Sequence, residues 1–302
     1  MRWNFILNPQ AGGGKAQRFW QLLQPRLGQL TIEHTYHFSL YPGHSKVLAR
    51  QLAQQGERAF VAVGGDGSIN ELLQGLFDSN VPLSDFILAV APQGTGNDWA
   101  RYHKIPSQLD EWLAFFLRRN VVKHDLGLVK HGENFALRHV FINMAGYGLD
   151  CHILQQMGCA NGKSFRYYAT LLKSLHAYPG LPLQVRWESE SIERTVLLSM
   201  FCIGRYGGAG MDFSPHADYQ SGKMQLVSIG DMAFLKRLQS LPYLVNGKIA
   251  LHSAVMTRGV DKVSVQGDQQ VRFQCDGELV GYLPIEIHVQ PHAIFLLSNL
   301  KV

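Results

Sequence analysis

The stretch from Gly64 to Asn70 reads GGDGSIN and follows the apolar run Ala59–Val63. Its three glycines, within four consecutive positions, remove Cβ atoms and allow another backbone or a ligand to approach closely. Ser68, followed three residues later by Glu71, has the spacing of a capping box and predicts that a helix begins there. Bare N–H groups and a helix N-terminus attract anions, so this stretch predicts a phosphate-binding site.

The lone acid of this stretch, Asp66, would repel a phosphate unless a cation lies between them. A Mg²⁺ ion bound to a polyphosphate removes the conflict, because Mg²⁺ prefers oxygen ligands. The alternative interpretation is an ordinary strand–helix turn whose glycines only make it tight. We favour the nucleotide interpretation, because the glycines lead directly into a helix with a capping signal.

Two further clusters combine glycine with polar side chains: Gly94-Thr95-Gly96-Asn97-Asp98 and Asp276-Gly277-Glu278. An alternative role for Asn97 and Asp98 is to cap the helix that follows them. The two acids of the second cluster would point to one face if their backbone were extended. The alternative there is a surface hairpin turn without chemistry.

Another glycine-rich turn, Asn8 to Lys15, follows the apolar run Trp3–Leu7. It is not a P-loop, because GxxxxGK[ST] would require glycine where the chain has Pro9, and serine or threonine where it has Ala16. We expect this turn near the phosphates, with Lys15 as a candidate contact.

These turns lie in a region where strands and helices alternate, over roughly the first 120 residues. Such alternation predicts a mostly parallel sheet with helices on both faces, a Rossmann-like α/β domain over residues 1–125. Ligands bind such sheets beyond the carboxyl ends of the strands. The three glycine-rich turns all follow strands, so we expect them at that edge.

Beyond Asp125 the chain consists of short apolar or alternating runs separated by turn residues. This pattern predicts an antiparallel β-sandwich or partial barrel over residues 126–302, whose last segment is a candidate to pack back on the first domain. We expect two inserted helices, Ser164–His176 and Met232–Asn246, and a hinge at Leu126–Glu133. The predicted strands are Phe135–Ala145, Leu183–Glu188, Thr195–Ile203, Lys223–Ile229, Lys262–Val265, Val271–Cys275, Ile285–Val289 and Ala293–Leu297.

Composition places the chain among soluble globular proteins, with 302 residues, 46% hydrophobic and 17% charged. The first residues lack a signal-peptide pattern, and no apolar stretch approaches the ~20 residues of a membrane span, which predicts a cytoplasmic protein. The net charge of +5 allows attraction to an anionic membrane or a nucleotide. We expect no nucleic-acid partner.

Cysteine and histidine usage argues against structural metal or disulfide chemistry. The four cysteines form no CxxC pair, which predicts reduced thiols. The nearest histidine pair, His34 and His37, would point to opposite faces of a strand.

Taken together, the clusters resemble the diacylglycerol-kinase-type lipid kinase family, which includes soluble bacterial lipid kinases, is related to the sphingosine kinases and shares a superfamily with NAD kinases. GGDGSINELLQGL is similar to its nucleotide motif, APQGTGNDWAR to its second glycine motif and CDGE to its late acidic motif. GGDG alone is shared with NAD kinases and phosphofructokinases, whereas the other two clusters are specific to lipid kinases. Further matches, in chain order, are Asn8-Pro9, Gly43-His44, Asp125-Leu126-Gly127, Asn143 with Gly146 and Gly148, and Gly207 to Met211.

The resemblance implies that the first domain is phosphofructokinase-like as well as Rossmann-like. The resemblance also implies ATP and Mg²⁺ as cofactors, with Asp66 acting through Mg-ATP. It implies Glu278 as the proton acceptor of the lipid hydroxyl, with Asp276 as the competing base. The residues that it places at the nucleotide are Ser39, Gly64, Gly65, Asp66, Gly67, Ser68, Ile69, Asn70, Glu71, Gly94, Thr95 and Asn97.

One position departs from the family pattern. Where the family has Asp-Gly holding a structural Mg²⁺, this chain has Ser221-Gly222. A neutral hydroxyl is a poorer Mg²⁺ ligand than a carboxylate. Asp218 lies close by and is the candidate substitute.

The sequence thus predicts an ATP-dependent lipid kinase, most simply for diacylglycerol or a related lipid. The alternatives are a kinase of a soluble alcohol such as NAD, and a non-catalytic lipid-binding regulator with the same fold. We expect transient peripheral contact with the membrane, with a homodimer as a candidate assembly. The stretch Phe165–Leu175 is interpreted as a core helix rather than a membrane anchor.

Overall fold

The computed structural model describes residues 1–157, 164–188 and 190–300, with the side chains of residues 164–168 excepted. The chain divides into two compact units. The first contains Met1–His124 together with the segment from His292 onward, and the second contains Asp125–Pro291.

The first unit alternates strands and helices. In chain order these are β1 (Trp3–Leu7), α1 (Ala11–Gln29), β2 (His34–Phe38), α2 (His44–Gln54), β3 (Ala59–Gly64), α3 (Asp66–Phe77), β4 (Ile87–Pro92), α4 (Asp98–Tyr102) and α5 (Leu109–Arg118), followed by the start of β5 (Val121–His131).

Four parallel strands form the sheet of this unit, in the order β2–β1–β3–β4. Phe295 and Leu296 from the returning C-terminal segment pair in parallel with β4. All residues of β1 and β3 are buried, as expected for a parallel sheet covered on both faces. The carboxyl ends of these strands therefore share one edge, and the turns that carry the glycine clusters begin there.

Aromatic side chains of β1, α1 and α5 fill the core below this sheet. The ring of Phe5 lies 5.0 Å from that of Trp20, and Trp3 and Trp112 lie 4.8 and 4.9 Å from Phe116. Trp112 Nε1 also donates a hydrogen bond to the carbonyl of Val90 in β4. These contacts hold α1 and α5 against the sheet, and each aromatic pair adds about 0.5–1.5 kcal/mol beyond its buried area.

The second unit is built mainly from strands. In chain order it contains the rest of β5, β6 (Leu137–Phe141), β7 (Met144–Gly148), α6 (Leu149–Met157), α7 (Ser164–Ala177), β8 (Leu181–Trp187), β9 (Glu190–Cys202), β10 (Tyr206–Gly207), β11 (Met211–Asp212), β12 (Met224–Gly230), α8 (Phe234–Val245), β13 (Val255–Val260), β14 (Lys262–Gln266), β15 (Arg272–Cys275), β16 (Glu278–Tyr282) and most of β17 (Ile285–Leu297).

The strands that pair with β9, and those that extend the sheet from β7, β8 and β12, do so in antiparallel fashion, and the long strand β9 is central to them. Its first half pairs with β8, and its second half pairs with β7 and β12. From β7 the sheet continues to β15 and β16, and from β8 to β14 and β17. The predicted fold class, a parallel α/β domain followed by an antiparallel β domain, is confirmed.

Helices α6, α7 and α8 pack on the apolar side chains of β7, β9 and β12. Leu149 and Ile153 from α6, Leu175 from α7 and Leu244 from α8 belong to one buried cluster. In α7, Leu171 is buried and Leu172 is half exposed, while the part of the predicted Phe165–Leu175 stretch before residue 169 lies outside the described side chains.

Several sequence-based boundaries were wrong. The segment Leu126–Glu133, whose role as a hinge stays a prediction, is not an irregular linker, because residues 126–131 belong to β5, which pairs with β6. The predicted strand Phe135–Ala145 is instead a 3₁₀ turn followed by β6 and β7. Helix α6 and the strands β13 and β16 were missed, and the last two predicted strands form one continuous strand, β17.

Two composition-based expectations can be compared with the described residues. None of the helices in those residues is both long enough and apolar enough to cross a bilayer. Cys151, Cys202 and Cys275 are buried free thiols, and burial raises the pKa of each. Cys159 lies outside the described residues.

Candidate active site

Two glycine turns of the first unit touch each other through their backbones. A Cβ atom added at Gly94 would lie 2.4 Å from the Cα of Gly65, and one added at Gly65 would lie 3.0 Å from the Cα of Gly94. The N–H of Gln93 also donates to the carbonyl of Gly64, at 2.7 Å. No side chain fits between these turns, so glycine at both positions is a packing requirement.

The glycine turn after β1 reaches the same place. A Cβ atom at Gly12 would lie 2.2 Å from the carbonyl oxygen of Gln93. Gly12, Gly13 and Gly14 all have positive φ, and Cβ atoms at Gly13 and Gly14 would meet nothing within 4 Å. The turn therefore packs against the second glycine motif on one side and leaves an open backbone surface on the other.

The start of α3 differs from the predicted capping box. The helix begins at Asp66 with Gly65 as its N-cap residue, and no side chain caps it. Ser68 lies inside the first turn, and its Oγ is 2.1 Å from where a Cβ of Gly64 would be. Glu71 Oε1 instead accepts a hydrogen bond from the N–H of Gly43, at 2.8 Å, and so links α3 to the start of α2.

Asp66 connects two of the clusters. Its carboxylate oxygens accept hydrogen bonds from the N–H groups of Asp98, at 3.1 Å, and Trp99, at 3.2 Å. Burial raises the pKa of this carboxyl group, and the N–H groups at the start of α4 oppose that rise. The N–H groups of Asn97 and of Asp66 itself also favour the ionised form of this carboxylate.

The alternative role of Asn97, capping α4 with its side chain, is not observed. Asn97 precedes α4 in a left-handed conformation, but its side chain caps no helix N–H. Its Oδ1 accepts from the N–H of Gly94, at 2.9 Å, and its Nδ2 donates to the Gly94 carbonyl, at 3.0 Å. This closed ring of bonds holds the glycine turn in shape and leaves Thr95 exposed at its tip.

The other predicted nucleotide residues are distributed around this edge. Ser39 follows β2, and its N–H donates to the carbonyl of Leu7, at 2.7 Å. Gly67 lies in the first turn of α3. Ile69 and Asn70 are 2% and 3% exposed, so their side chains belong to the interior. A nucleotide would have to meet these two residues through their backbone.

In the second unit, Asp276 and Gly277 form the two-residue loop of the hairpin between β15 and β16. Their φ angles are +50° and +87°, the positive values that a type I′ turn requires. Cys275 pairs with Glu278 across the hairpin. The extended backbone that would place both acids on one face is therefore not present between them, and the hairpin turn given as the alternative is the observed conformation.

The carboxylate of Asp276 is used within the fold. Its Oδ1 accepts from the N–H groups of Asn143 and Met144, at 2.9 and 3.0 Å, and its Oδ2 accepts from that of Ile142, at 2.9 Å. Its own N–H donates to the carbonyl of Met144, at 2.7 Å. Glu278, by contrast, is exposed at the first position of β16. The Asp276 carboxylate therefore anchors the turn, and Glu278 lies at the surface beside it.

Two residues at this turn were missed by sequence reasoning. Gln274 Oε1 accepts from the N–H of Gly277, at 2.8 Å, and Gln274 Nε2 donates to Asp150 Oδ2, at 3.1 Å. The available signal was that Gln274 is polar within an otherwise apolar strand end and lies two residues before an acid in the DGE cluster.

The loop of Asp218 and Ser221, where the family pattern has a structural Mg²⁺, is closed by its own hydrogen bonds. Ser221 Oγ lies 2.9 Å from the carbonyl oxygen of Asp218 and 3.2 Å from that of Lys223, so its proton is directed at backbone carbonyls. The Asp218 carboxylate accepts from the N–H of Gln220, and the Asp125 carboxylate accepts from that of Gly222, at 2.6 Å. Across the described part of the chain, no group of three His, Cys, Asp or Glu residues could hold a metal ion.

Comparison with known families agrees with both units. The family described as Diacylglycerol kinase catalytic domain matches residues 2–129. The family described as YegS C-terminal NAD kinase beta sandwich-like domain matches residues 145–298.

Individual relatives match over nearly their whole length. The chain is 26% identical over 303 residues to a Bacillus subtilis (strain 168) protein named lipid kinase YtlR, covering 96% of this chain and 97% of the relative. It is 27% identical over 297 residues to a diacylglycerol kinase of Mycobacterium tuberculosis (strain H37Rv), covering 97% and 93%. A crystal structure of a diacylglycerol kinase from Bacillus anthracis superposes with a TM-score of 0.76 at 17% identity, covering 99% and 97%. With both units matched in order, the chain belongs to the diacylglycerol-kinase-type lipid kinase family.

Proposed function

We propose that this protein transfers the γ-phosphate of ATP to the hydroxyl group of a lipid, with diacylglycerol as the default acceptor. The observation that carries the proposal is the mutual contact of Gly65 and Gly94, joined by Gly12 against Gln93. It gathers three glycine turns at the carboxyl edge of a parallel sheet, where such folds bind ligands.

The backbone of these turns is proposed to hold the nucleotide phosphates. A Cβ atom at Gly13 or Gly14 would meet nothing within 4 Å, so their backbone is open to a ligand, and α3 begins at Asp66 with its N-terminus at the same sheet edge. Asp66 is the carboxylate that would face Mg²⁺ on ATP. When bound, Mg²⁺ would offset the charge of the phosphates.

Glu278 is proposed as the general base. An oxygen lone pair of the lipid hydroxyl attacks the γ-phosphorus, a new O–P bond forms, and the bond to the bridging oxygen of ADP breaks. The hydroxyl proton moves to the Glu278 carboxylate. The exposed position of Glu278, on a turn anchored by Asp276, supports this role.

The lipid acceptor is supported by the names of the relatives, which are diacylglycerol kinases or lipid kinases. A protein that phosphorylates such an acceptor must meet a membrane surface during turnover. A soluble acceptor such as NAD is the alternative, since the matched C-terminal family is described as NAD kinase beta sandwich-like.

The decisive experiment measures transfer of labelled γ-phosphate from ATP into the organic phase, using a total lipid extract in mixed micelles with Mg²⁺. We expect one labelled lipid whose chromatographic mobility matches phosphatidic acid. Reactions without lipid, and with Glu278→Gln, serve as controls. Label that stays in the aqueous phase with added NAD, or no product at all from nucleotide-bound protein, would overturn the proposal.

A further inference from the structure

We infer that Asp150 and Gln274 position Glu278: Asp150 fixes the amide of Gln274, and that amide fixes the turn from which Glu278 projects. The inference rests on the proposed function, because it assigns the pair a role in the same reaction. Neither residue would touch the substrate, so both are positioning residues.

The orientation of the Gln274 amide follows from its partners. Only the amide oxygen can accept the N–H of Gly277, so the bond of 2.8 Å places Oε1 at the turn. The NH₂ group must then face Asp150 Oδ2, 3.1 Å away. A reversed amide would set an NH₂ group against the Gly277 N–H and release that side of the turn.

A glycine allows Asp150 to reach Gln274. Gln274 of β15 lies opposite Gly146 of β7 in the antiparallel register. Asp150 lies in the first turn of α6, and its Oδ2 is 2.9 Å from where a Cβ of Gly146 would be. Any side chain at this position of β7 would occupy the space through which the carboxylate and the amide meet.

An aspartate at position 150 restricts the orientation of the Gln274 amide more than an asparagine would. Ionised aspartate only accepts hydrogen bonds, so it opposes reversal of the Gln274 amide, whereas asparagine can present either an oxygen or an NH₂ group. Burial raises the pKa of Asp150 to about 6, so retaining a carboxylate at this place costs folding free energy. Costly partly buried acids are enriched at functional sites.

The turn is consequently held from both sides. On one side, the Asp276 carboxylate accepts from three consecutive N–H groups that begin at Ile142. On the other side, Gln274 holds the N–H of Gly277. Glu278 comes directly after the two-residue loop, so the direction of its Cα–Cβ bond depends on both anchors.

Selective NMR labelling tests the structural half of the inference without any substrate. The sequence contains two Asp–Gly pairs, Asp66-Gly67 and Asp276-Gly277, so ¹³C′-aspartate with ¹⁵N-glycine gives two correlated amide signals. Asp66→Asn removes one signal and assigns both. We expect Gln274→Met and Asp150→Leu to shift the Gly277 signal, and Asp150→Asn to shift it far less. The Gly67 signal is the internal control.

Kinetics test the functional half with the same variants. We expect Gln274→Met and Asp150→Leu to lower kcat about tenfold or more while KM for ATP stays within about twofold. Asp150→Asn should retain most of the activity. The matched control is Gln270→Met, the same substitution at an exposed glutamine four residues away.

Two results would overturn the inference: a Gly277 signal that is unmoved in Gln274→Met, or a moved signal with unchanged kcat. The second result would mean that the pair holds the hairpin without serving Glu278. Failure of the proposed function is recognised separately, because the unmodified protein would then phosphorylate no lipid. If Gln274→Met does not fold, Asp150→Leu is compared with Asp150→Asn instead. A Gly277 signal that is unmoved in Asp150→Leu, or a moved signal with unchanged kcat, would then overturn the inference.

Discussion

Asp276 and Glu278 are two residues apart, yet the backbone between them gives them different surroundings. Asp276 has a left-handed φ of +50° and directs its carboxylate to three N–H groups of the β6–β7 connection. Glu278 begins the next strand and is exposed. The fold therefore uses the Asp276 carboxylate as an anchor and leaves the Glu278 side chain at the surface.

Substitution of each acid separates these roles. Glu278→Gln should lower kcat by about 100-fold or more while nucleotide affinity is kept, since general-base catalysis contributes about 10²–10⁴-fold. Asp276→Asn should mainly lower stability, by about 1–3 kcal/mol, because its NH₂ group would face a backbone donor. Steady-state kinetics and urea unfolding measure the two effects. Loss of kcat in Asp276→Asn at unchanged stability would reassign the base.

Asp150 predicts a specific dependence of stability on pH. Its folded pKa of about 6 lies above the ordinary value of 3.8, so the native state holds its proton more tightly than the unfolded chain. The stability that this protonation contributes is complete below about pH 4 and is lost as the pH rises through about 6.

Asp150→Asn removes this titration. Relative to the unmodified protein, the variant should therefore gain stability as the pH rises from 4 to 7, by roughly 1–3 kcal/mol. Urea unfolding across this range measures the difference. Buried His103, whose pKa is lowered by burial, contributes a slope of opposite sign, but it is present in both proteins and cancels. A constant difference across the range would contradict the raised pKa.

At the scale of elements, glycines decide how closely the turns of the first unit approach. Contacts between backbones bring α3, α4 and the start of α1 to one edge of the sheet, and Asp66 and Asn97 hold them there by hydrogen bonds. The surface at which we propose nucleotide binding is thus mostly main chain.

Gly94→Ala tests this dependence on close approach. The new Cβ would lie 2.4 Å from the Gly65 Cα and 2.7 Å from Asn97 Oδ1, so the turns must separate. We expect a loss of about 1–3 kcal/mol of stability and at least about tenfold weaker ATP binding. Gly28→Ala in α1 is the control: its Cβ meets nothing within 4 Å, and it should stabilise the protein by about 0.5 kcal/mol. Equal ATP affinity in both variants would remove the turns from the nucleotide site.

The loop before β12 offers a second test at this scale. Ser221→Asp replaces a hydroxyl donor with a carboxylate beside the Asp218 carbonyl. Mg²⁺ or Ca²⁺ should then raise the melting temperature of this variant, but not that of the unmodified protein or of Ser221→Asn. An equal rise in the unmodified protein would mean that the loop already binds the ion, with Asp218 as its carboxylate ligand.

At the scale of the whole molecule, the chain leaves the first unit near residue 124 and returns to it at residue 292. The returning segment pairs with β4 and buries Ile294, Leu296 and Leu297. Asn120 Nδ2 also donates to the carbonyl of Ser298, at 2.9 Å. The N-terminal unit is therefore complete only when the C-terminal segment is present.

Truncation after Pro291 tests this closure. Each of the three buried side chains contributes about 1.5–3 kcal/mol, so the melting temperature should fall by about 10 °C or more. Truncation after Leu300 is the control and should have little effect, because it keeps the pairing with β4. A melting temperature unchanged by the longer truncation would show that the returning segment is dispensable for the first unit.

Local patterns in the sequence were sufficient for the features that depend on neighbouring residues. The alternation of buried strands and helices, the parallel class of the first sheet and the position of every glycine turn at a strand end follow from hydrophobic periodicity and glycine placement. The change to antiparallel strands beyond Asp125 was also indicated by the short apolar or alternating runs that turn residues separate there.

Tertiary structure decided the partners of the polar side chains. Glu71 bonds the turn before α2 rather than its own helix, and Asp276 holds N–H groups more than 130 residues away in the chain. Asp150 and Gln274 meet only because β7 pairs with β15 and carries a glycine at the crossing point. Sequence periodicity specifies which face of a strand is buried, but strand pairing specifies which distant donor and acceptor lie within hydrogen-bonding distance.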